Sequence, residues 1–325
     1  MDTRSAVLQL LEENKSMALS GQQIADRLGV TRAAVWKAVK SLQEDGYSIT
    51  ATTNKGYMLT GASDVVSVEG IRAALPDRYK NLALEVKQST VSTNIDVGAA
   101  AASGAPHGTT VVALEQKSGQ GRLGKSFCSP KGGLYFSTLI RPTLSIDKAV
   151  MITPAAAVAA HKAITDILGL PVSIKWVNDI YMNGRKVVGI STQAQADIAV
   201  GGISGIIVGT GINYNTAQSD FSGDIQNKAG SLYYGDAPAK RNELIAAAIT
   251  ALLDLSKDLT DKSYMDYYRK HCFVLGARVD YEIDREAKSG IVEELDDNGA
   301  LIIAEDGRKE KRHLSCGEIS VRPRS

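Results

Sequence analysis

Gly119-Gln-Gly-Arg-Leu-Gly-Lys-Ser126 matches, letter for letter, the Gly-x-x-x-x-Gly-Lys-Ser pattern of the phosphate-cradling loop of many ATPases and GTPases. Its surroundings decide whether the chain folds that way. Such a loop runs from a buried strand into an α-helix, whose first turn offers amides and dipole to phosphate. A strand is predicted before it, at 109–114. A helix is not predicted after it: Phe127-Cys-Ser-Pro-Lys-Gly-Gly133 puts a proline and two glycines where the second turn would lie. No clean apolar strand ending in Asp is available to hold magnesium, since Asp179 follows the polar Lys175-Trp-Val-Asn178. The segment reads instead as a mobile loop in which Arg122 and Lys125 place cations. Closure over an anion suits it, as in carboxylate activation by ATP, where charge grows on the α-phosphate and the departing pyrophosphate. The alternative is a plain surface hairpin with two solvated bases.

Around this loop, residues 82–273 alternate apolar β-rich runs (109–114, 134–140, 203–209) with Ala-rich helices (154–168, 243–259), the mark of a mixed α/β or α+β domain. Residues 274–325 show short strands at 277–283, 290–295 and 300–304 with a turn at Asp297-Asn298-Gly299, which predicts a small β-barrel. Residues 62–81 read as a linker with one short helix. Residues 1–61 carry three apolar helical faces and then a turn at Asn54-Lys55-Gly56 between two alternating runs. Ser20 opens the second helix, Gly29 closes it, and Thr31 caps a third at 32–44: a helix-turn-helix with a wing.

In such a motif the last helix enters the major groove with its first residues at the base edges. No acidic residue occurs from Thr31 to Gln43. Thr31 and Arg32 fall where bases are read, while Lys37, Lys40 and the wing's Lys55 suit phosphates. The competing reading is a helical module whose lysines are merely solvated. The net charge of +1 supplies no chain-wide field for nucleic acid, so affinity must come from this local patch and from a dimer on paired half-sites. Three separated cysteines, with no Cys-x-x-Cys, point to a reducing compartment without structural zinc. Cys128 is a candidate nucleophile by position, although a lone cysteine is more often inert. No apolar run approaches the roughly 20 residues that span a bilayer, so a cytoplasmic protein is expected.

Several segments together resemble the bifunctional biotin protein ligases that double as biotin-operon repressors, over nearly the whole chain. They are Ser92-Thr-Asn94, Gln116 leading into Gly119–Lys125, Gly132-Gly-Leu-Tyr135, Lys175-Trp-Val-Asn-Asp179, Gly184-Arg-Lys-Val-Val-Gly-Ile190 and Gly209-Thr-Gly-Ile-Asn213. The resemblance implies a winged helix-turn-helix, a central mixed-sheet ligase domain and a C-terminal SH3-like β-barrel. It implies that biotin and ATP give biotinyl-5′-AMP, which a lysine of a biotin carboxyl-carrier protein then consumes. Magnesium arrives with ATP, on phosphates and water rather than protein ligands. Ser92, Thr93, Asn94, Gln116, Gln120, Gly121, Arg122 and Lys175 are carried over as the biotin site. Arg122, Lys125 and Asn213 face the nucleotide. Lys175 and Arg122 are expected to be catalytic, with Lys175 the central cation. Operator DNA and a homodimer formed when the adenylate is bound complete the implied partners.

Duller readings stand beside these. Ser92-Thr93 suits a helix cap, Trp176 a core aromatic, and Lys175 a snorkelling lysine. The chain also departs from the family. Gln120 stands where arginine is usual, Phe127 where tryptophan is, and Val177 where proline is. Ser-Thr-Gln-Ala-Gln-Ala follows Ile190 where an acidic residue is commoner. The missing cation at 120 predicts weaker adenylate retention, or compensation by Lys117 or Lys125. A biotin sensor with a decayed ligase step and a lipoate ligase on the same scaffold are the alternatives.

Overall fold

The structure is a computed structural model and describes residues 2–52, 55–141, 150–197, 202–221, 223–283, 285–315 and 322–323. Asn54 of the expected wing turn and Cys316 lie outside them. Packing divides the chain into two compact units, Met1–Asn81 with Asp236–Ala247, and Leu82–Gly235 with Ala248–Ser325.

In the first unit α1 (Thr3–Glu13), α2 (Gly21–Leu28) and α3 (Arg32–Glu44) precede the hairpin of β1 (Ile49–Thr52) and β2 (Gly56–Leu59), and α4 (Val68–Ala74) follows. Each boundary has a local cause. Ser20 Oγ accepts from the Gln23 amide at 3.1 Å, while the Ser20 amide donates to Gln23 Oε1 at 2.8 Å, a reciprocal cap. Gly29, at φ 65°, ends α2. Thr31 Oγ1 accepts from the Ala34 amide at 3.2 Å and starts α3, a cap of the kind worth about 1 kcal/mol. Val7, Leu8, Leu11, Ile24, Val35, Val39, Leu42 and Leu59 meet in one core. The predicted winged helix is formed.

The second unit runs β3 (Leu84–Lys87), α5 (Thr93–Ala102), β4 (Thr110–Ala113), a small hairpin of β5 (Gly119–Gln120) and β6 (Ser126–Phe127), β7 (Leu134–Ile140), α6 (Ile152–Leu168), β8 (Ser173–Lys175), β9 (Asp179–Met182), β10 (Arg185–Asp197) and β11 (Gly202–Ile212). Among the described residues seven strands form one sheet in the order β3-β4-β7-β11-β10-β9-β8; β3–β4 is its parallel pair. Helices cover both faces. Val97 of α5 packs on Val111, Leu139 and Ile207. Thr153 of α6 meets Thr192 of β10, hydroxyl to hydroxyl at 2.9 Å, on the face opposite to its neighbour Ser191 because side chains alternate along a strand. In the Lys175–Asp179 stretch, Trp176–Asn178 form the turn joining β8 to β9, and Lys175 pairs with Asp179 at its base.

After β11 come α7 (Arg241–Ser256), whose first residues belong to the first unit, and α8 (Ser263–His271). Then β12 (Arg278–Ile283), β13 (Glu286–Leu295), β14 (Leu301–Glu305), β15 (Arg312–Leu314) and β16 (Arg322–Pro323) form an antiparallel sheet in the order β15-β14-β13-β12-β16. Trp176 Nε1 donates to the Gly299 carbonyl at 2.9 Å, and Arg269 Nε to that of Leu295 at 2.8 Å, so the tip of this sheet is bonded to the core of its own unit. Trp176 is therefore the core aromatic of the duller reading. No helix among the described residues is long and apolar enough to cross a membrane.

Candidate active site

Glycines make the floor. Gly189 of β10 faces Gly211 of β11, and Ser191 faces Gly209; β7 continues both rows with Tyr135 and Ser137. Without side chains these positions leave a hollow on the face that α5 covers. Phe127, from the short hairpin, fills part of it: a Cβ built at Gly189 would stand 2.6 Å from the phenyl ring, and one at Gly211 would also run into it. A Cβ at Gly209 would collide with the Asn94 side chain. The glycine loop itself is β5, a tight turn and β6, closed by Gly121 N–H donating to the Lys125 carbonyl at 2.7 Å. No helix follows Ser126, so the phosphate-loop reading falls.

The first turn of α5 supplies a polar wall. Asn94 Nδ2 donates to Ser191 Oγ at 3.1 Å, and Asn94 Oδ1 accepts from Ser137 Oγ at 2.6 Å. Thr93 Oγ1 lies 2.7 Å from Ser137 Oγ. Gln116 Oε1 accepts from the Thr93 amide at 2.9 Å, and Gln116 Nε2 donates to Ser129 Oγ at 2.9 Å. Ser92 holds the N-cap position of α5 yet makes no capping bond, and its buried Oγ has no partner among the described residues. A buried hydroxyl left alone costs about 1–3 kcal/mol. That orphan marks a place where a bound molecule would supply the missing hydrogen bond.

Ser92, Thr93, Asn94 and Gln116 line a partly open cavity together with Gln120, Gly121 and Arg122. Arg122 Nη1 donates to Asn178 Oδ1 at 3.1 Å, and Asn178 Nδ2 donates to the Ile190 carbonyl at 2.5 Å, which anchors the loop's guanidinium to β10. The second cation is Lys186, whose Nζ lies 2.6 Å from Asp179 Oδ1. Lys186 also lines an adjoining cavity with Phe127, Tyr181, Phe221, Ile225 and Asn213. Asn213 Nδ2 donates to the Gly230 carbonyl at 2.8 Å, leaving its buried Oδ1 without a partner among the described residues.

Two expected site residues stand apart from the others. Lys175, taken as the central cation, does not line either cavity. Its Nζ lies 5.3 Å from the ring centroid of Tyr181, which pairs with Ser173 on one side and with Lys186 on the other. Lys125 is exposed and lies outside both cavities. Lys186 was legible in the Gly184–Ile190 motif, but nothing in the sequence told which of two lysines eleven residues apart faces the hollow. Phe127, Asn178 and Ser191 were missed as well, since a turn asparagine and a strand serine carry no signal until the strands are in register. Burial pushes the Cys128 thiol above its ordinary range, with Asp220 adding to the effect, the opposite of what a thiolate nucleophile needs. Among the described residues no group of three or more His, Cys, Asp or Glu gathers to hold a metal ion.

In the first unit Thr31, Arg32, Lys37, Lys40 and Lys55 are all exposed, and α3 turns its apolar residues inward. Thr31 Oγ1 is engaged as a cap acceptor, which leaves its hydroxyl hydrogen for a further partner.

The model of the biotin/lipoate A/B protein ligase family matches residues 86–213, and that of an HTH domain matches residues 3–58. The bifunctional ligase/repressor BirA of Bacillus spizizenii is 36% identical over 230 residues, 70% of each chain. That of Salmonella typhimurium is 29% identical over 313 residues, 93% of each. Among solved structures, the biotin protein ligase of Aquifex aeolicus in complex with biotin and ATP aligns with a TM-score of 0.59 at 25% identity, over 74% of this chain and 99% of that one. A biotin/lipoate-type ligase fold, a helix-turn-helix before it and kinship across most of the length together place the chain in the family of bifunctional ligase/repressors.

Proposed function

We propose that the protein activates biotin with ATP, transfers it to a lysine of a biotin carboxyl-carrier protein, and represses transcription at operator DNA. One observation carries the ligase half: Lys186 stands where two cavities meet, one walled by neutral hydrogen-bonding groups, the other largely apolar. The ureido ring of biotin, with one carbonyl and two N–H groups, suits Ser92, Thr93, Asn94 and Gln116. Its ring carbons lie over Gly189, Gly211 and Phe127. The adenosine part of ATP takes the second cavity, where Asn213 offers its free acceptor. The carboxylate then meets the α-phosphate beside Lys186 and Arg122.

A carboxylate oxygen attacks the α-phosphorus, the bond to the bridging oxygen breaks, and pyrophosphate leaves with the electron pair. Both cations offset charge that grows as this happens. In the second step the neutral amine of the carrier lysine attacks the acyl carbon. AMP departs with the electron pair, and the amine's proton is lost to solvent. Magnesium travels with ATP, on phosphates and water. We assign the repressor role to residues 1–61, the linker to 62–81, ligation to 82–273, and an SH3-like module to 274–325. The adenylate favours a homodimer by binding the dimer-competent state better, and two recognition helices then meet paired half-sites. Carrier and operator both place the protein in the cytoplasm.

Weighing a carrier domain after incubation with ATP and biotin tests this. A gain of one biotinyl group is expected. Tight biotin binding without transfer would make the protein a sensor, and a gain only with lipoate would overturn the substrate.

A further inference from the structure

Trp36 is left unused by everything above. It sits in the middle of α3, 53% exposed, on a helix whose buried stripe of Val35, Ala38, Val39 and Leu42 is complete without it. Arg32, Ala33 and Trp36 line one side of an open groove whose other side is built from the wing's Ala51, Thr52 and Tyr57. Ala33 and Trp36 are three residues apart and Lys40 follows four later, so helical spacing stacks them on one face. Lys40 Nζ lies 5.4 Å from the centre of the indole ring. The result is a short apolar strip bordered by Arg32, Lys37 and Lys40.

Resting on the reading of the first unit as a DNA-binding domain, we infer that Trp36 reads sequence, by laying its indole against the C5-methyl of thymine in the major groove. Charge chooses the occupant: an apolar strip fenced by cations, with no carboxylate from Thr31 to Gln43, fits a polyanion with an apolar spot on its edge. In the major groove the thymine methyl is that spot, and it is read by apolar contact rather than hydrogen bonds. The surrounding lysines bind phosphates whatever the sequence. Sequence-dependent affinity therefore rests on Trp36 and Arg32, and salt-dependent affinity on the lysines.

The test uses the full-length protein with ATP and biotin. Duplexes are enriched from a random-sequence pool, and each thymine in the enriched site is then replaced by deoxyuridine, which removes only the methyl. Wild type is expected to lose roughly fivefold or more in affinity at one thymine or more per half-site, the lower range for a wrong base pair. W36A is expected to bind the thymine and deoxyuridine duplexes equally, with an unchanged salt slope. K37A is expected to keep the methyl preference while lowering that slope by about 0.9. W36F, with a melting midpoint matched to wild type, separates loss of the indole from loss of folding and should retain part of the preference. The inference is overturned if W36A keeps the full preference, if no deoxyuridine matters, or if Trp36 substitution alters self-association alone. Failure of wild type to bind any duplex in a salt-dependent way would instead sink the DNA-binding reading beneath it.

Discussion

The recognition helix and the cavity both offer cations to an anion, but they hold them in opposite ways. On α3 the lysines stand in water above a finished apolar core, with Lys40 over the exposed Trp36 ring. In the cavity Lys186 is held by Asp179 and Arg122 by Asn178, over a floor of glycines and beside a buried hydroxyl without a partner among the described residues. Solvated charges act as a sum: salt screens them, and each is dispensable. Anchored charges act at one point, and a charge aimed where the transition state develops it is hard to replace.

The largest effect expected from this contrast is at Lys186. Lys186→Met removes the cation shared by both cavities and should lower the rate of adenylate formation by about 10²–10³-fold, the range for loss of one preorganised donor. Lys175→Met should leave that rate near wild type, since Lys175 lines neither cavity. Pyrophosphate release measured on both variants decides it. Equal losses would mean that position at the cavities does not assign the roles.

The same contrast explains what could be read before the structure. Caps, turns and the 3.6-residue pattern act within a few residues, so α2 and α3 are legible nearly to the residue, α3 as Arg32–Glu44. The strands at 109–114 and 134–140 and three of the C-terminal strands are legible from apolar runs, while β15 and β16 are not. The hollow is not legible, because it depends on Gly189 meeting Gly211 across the β10–β11 pairing and on Asn94 lying over Gly209, more than a hundred residues along the chain. Ser92 illustrates the limit. Sequence left it between a cap and a ligand contact, and the structure shows it in the cap position without the capping bond.

The second prediction tests how finished the core of the first unit is. Burial pushes the Glu12 carboxyl up from 4.5 to about 7, against the pull of Lys15 and with Glu243 and Glu69 adding to the rise. Below pH 4.5 folded and unfolded chains both hold the proton. As pH rises to 7 the unfolded chain releases it first, so stability falls across this window and stays lower above it. The shift corresponds to a loss of about 3 kcal/mol at most. Asp64, also raised by burial, acts in the same sense. Glu12→Gln should flatten the dependence of the urea midpoint on pH between 4.5 and 7. An unchanged slope would place the titration elsewhere.

The smallest effect lies between the two regimes, at the rim of the cavity. Gln120 replaces the family's usual arginine, and the expected consequence was a cation missing from the adenylate. In the structure Gln120 Oε1 accepts from Gln193 Nε2 at 3.1 Å, and Gln193 lies in the stretch after Ile190 where an acidic residue is commoner. The two departures therefore meet in one neutral pair, which ties the glycine loop to β10. Gln120→Arg alone sets a charge beside an amide, and Gln193→Glu alone sets a carboxylate there. The double variant should form an ion pair, with a coupling of about 0.2–1 kcal/mol because the site is exposed. Adenylate dissociation measured on all four proteins gives that coupling directly. Additive effects would return Gln120 to a direct role at the ligand, since a residue acting through Gln193 cannot be indifferent to what stands at 193.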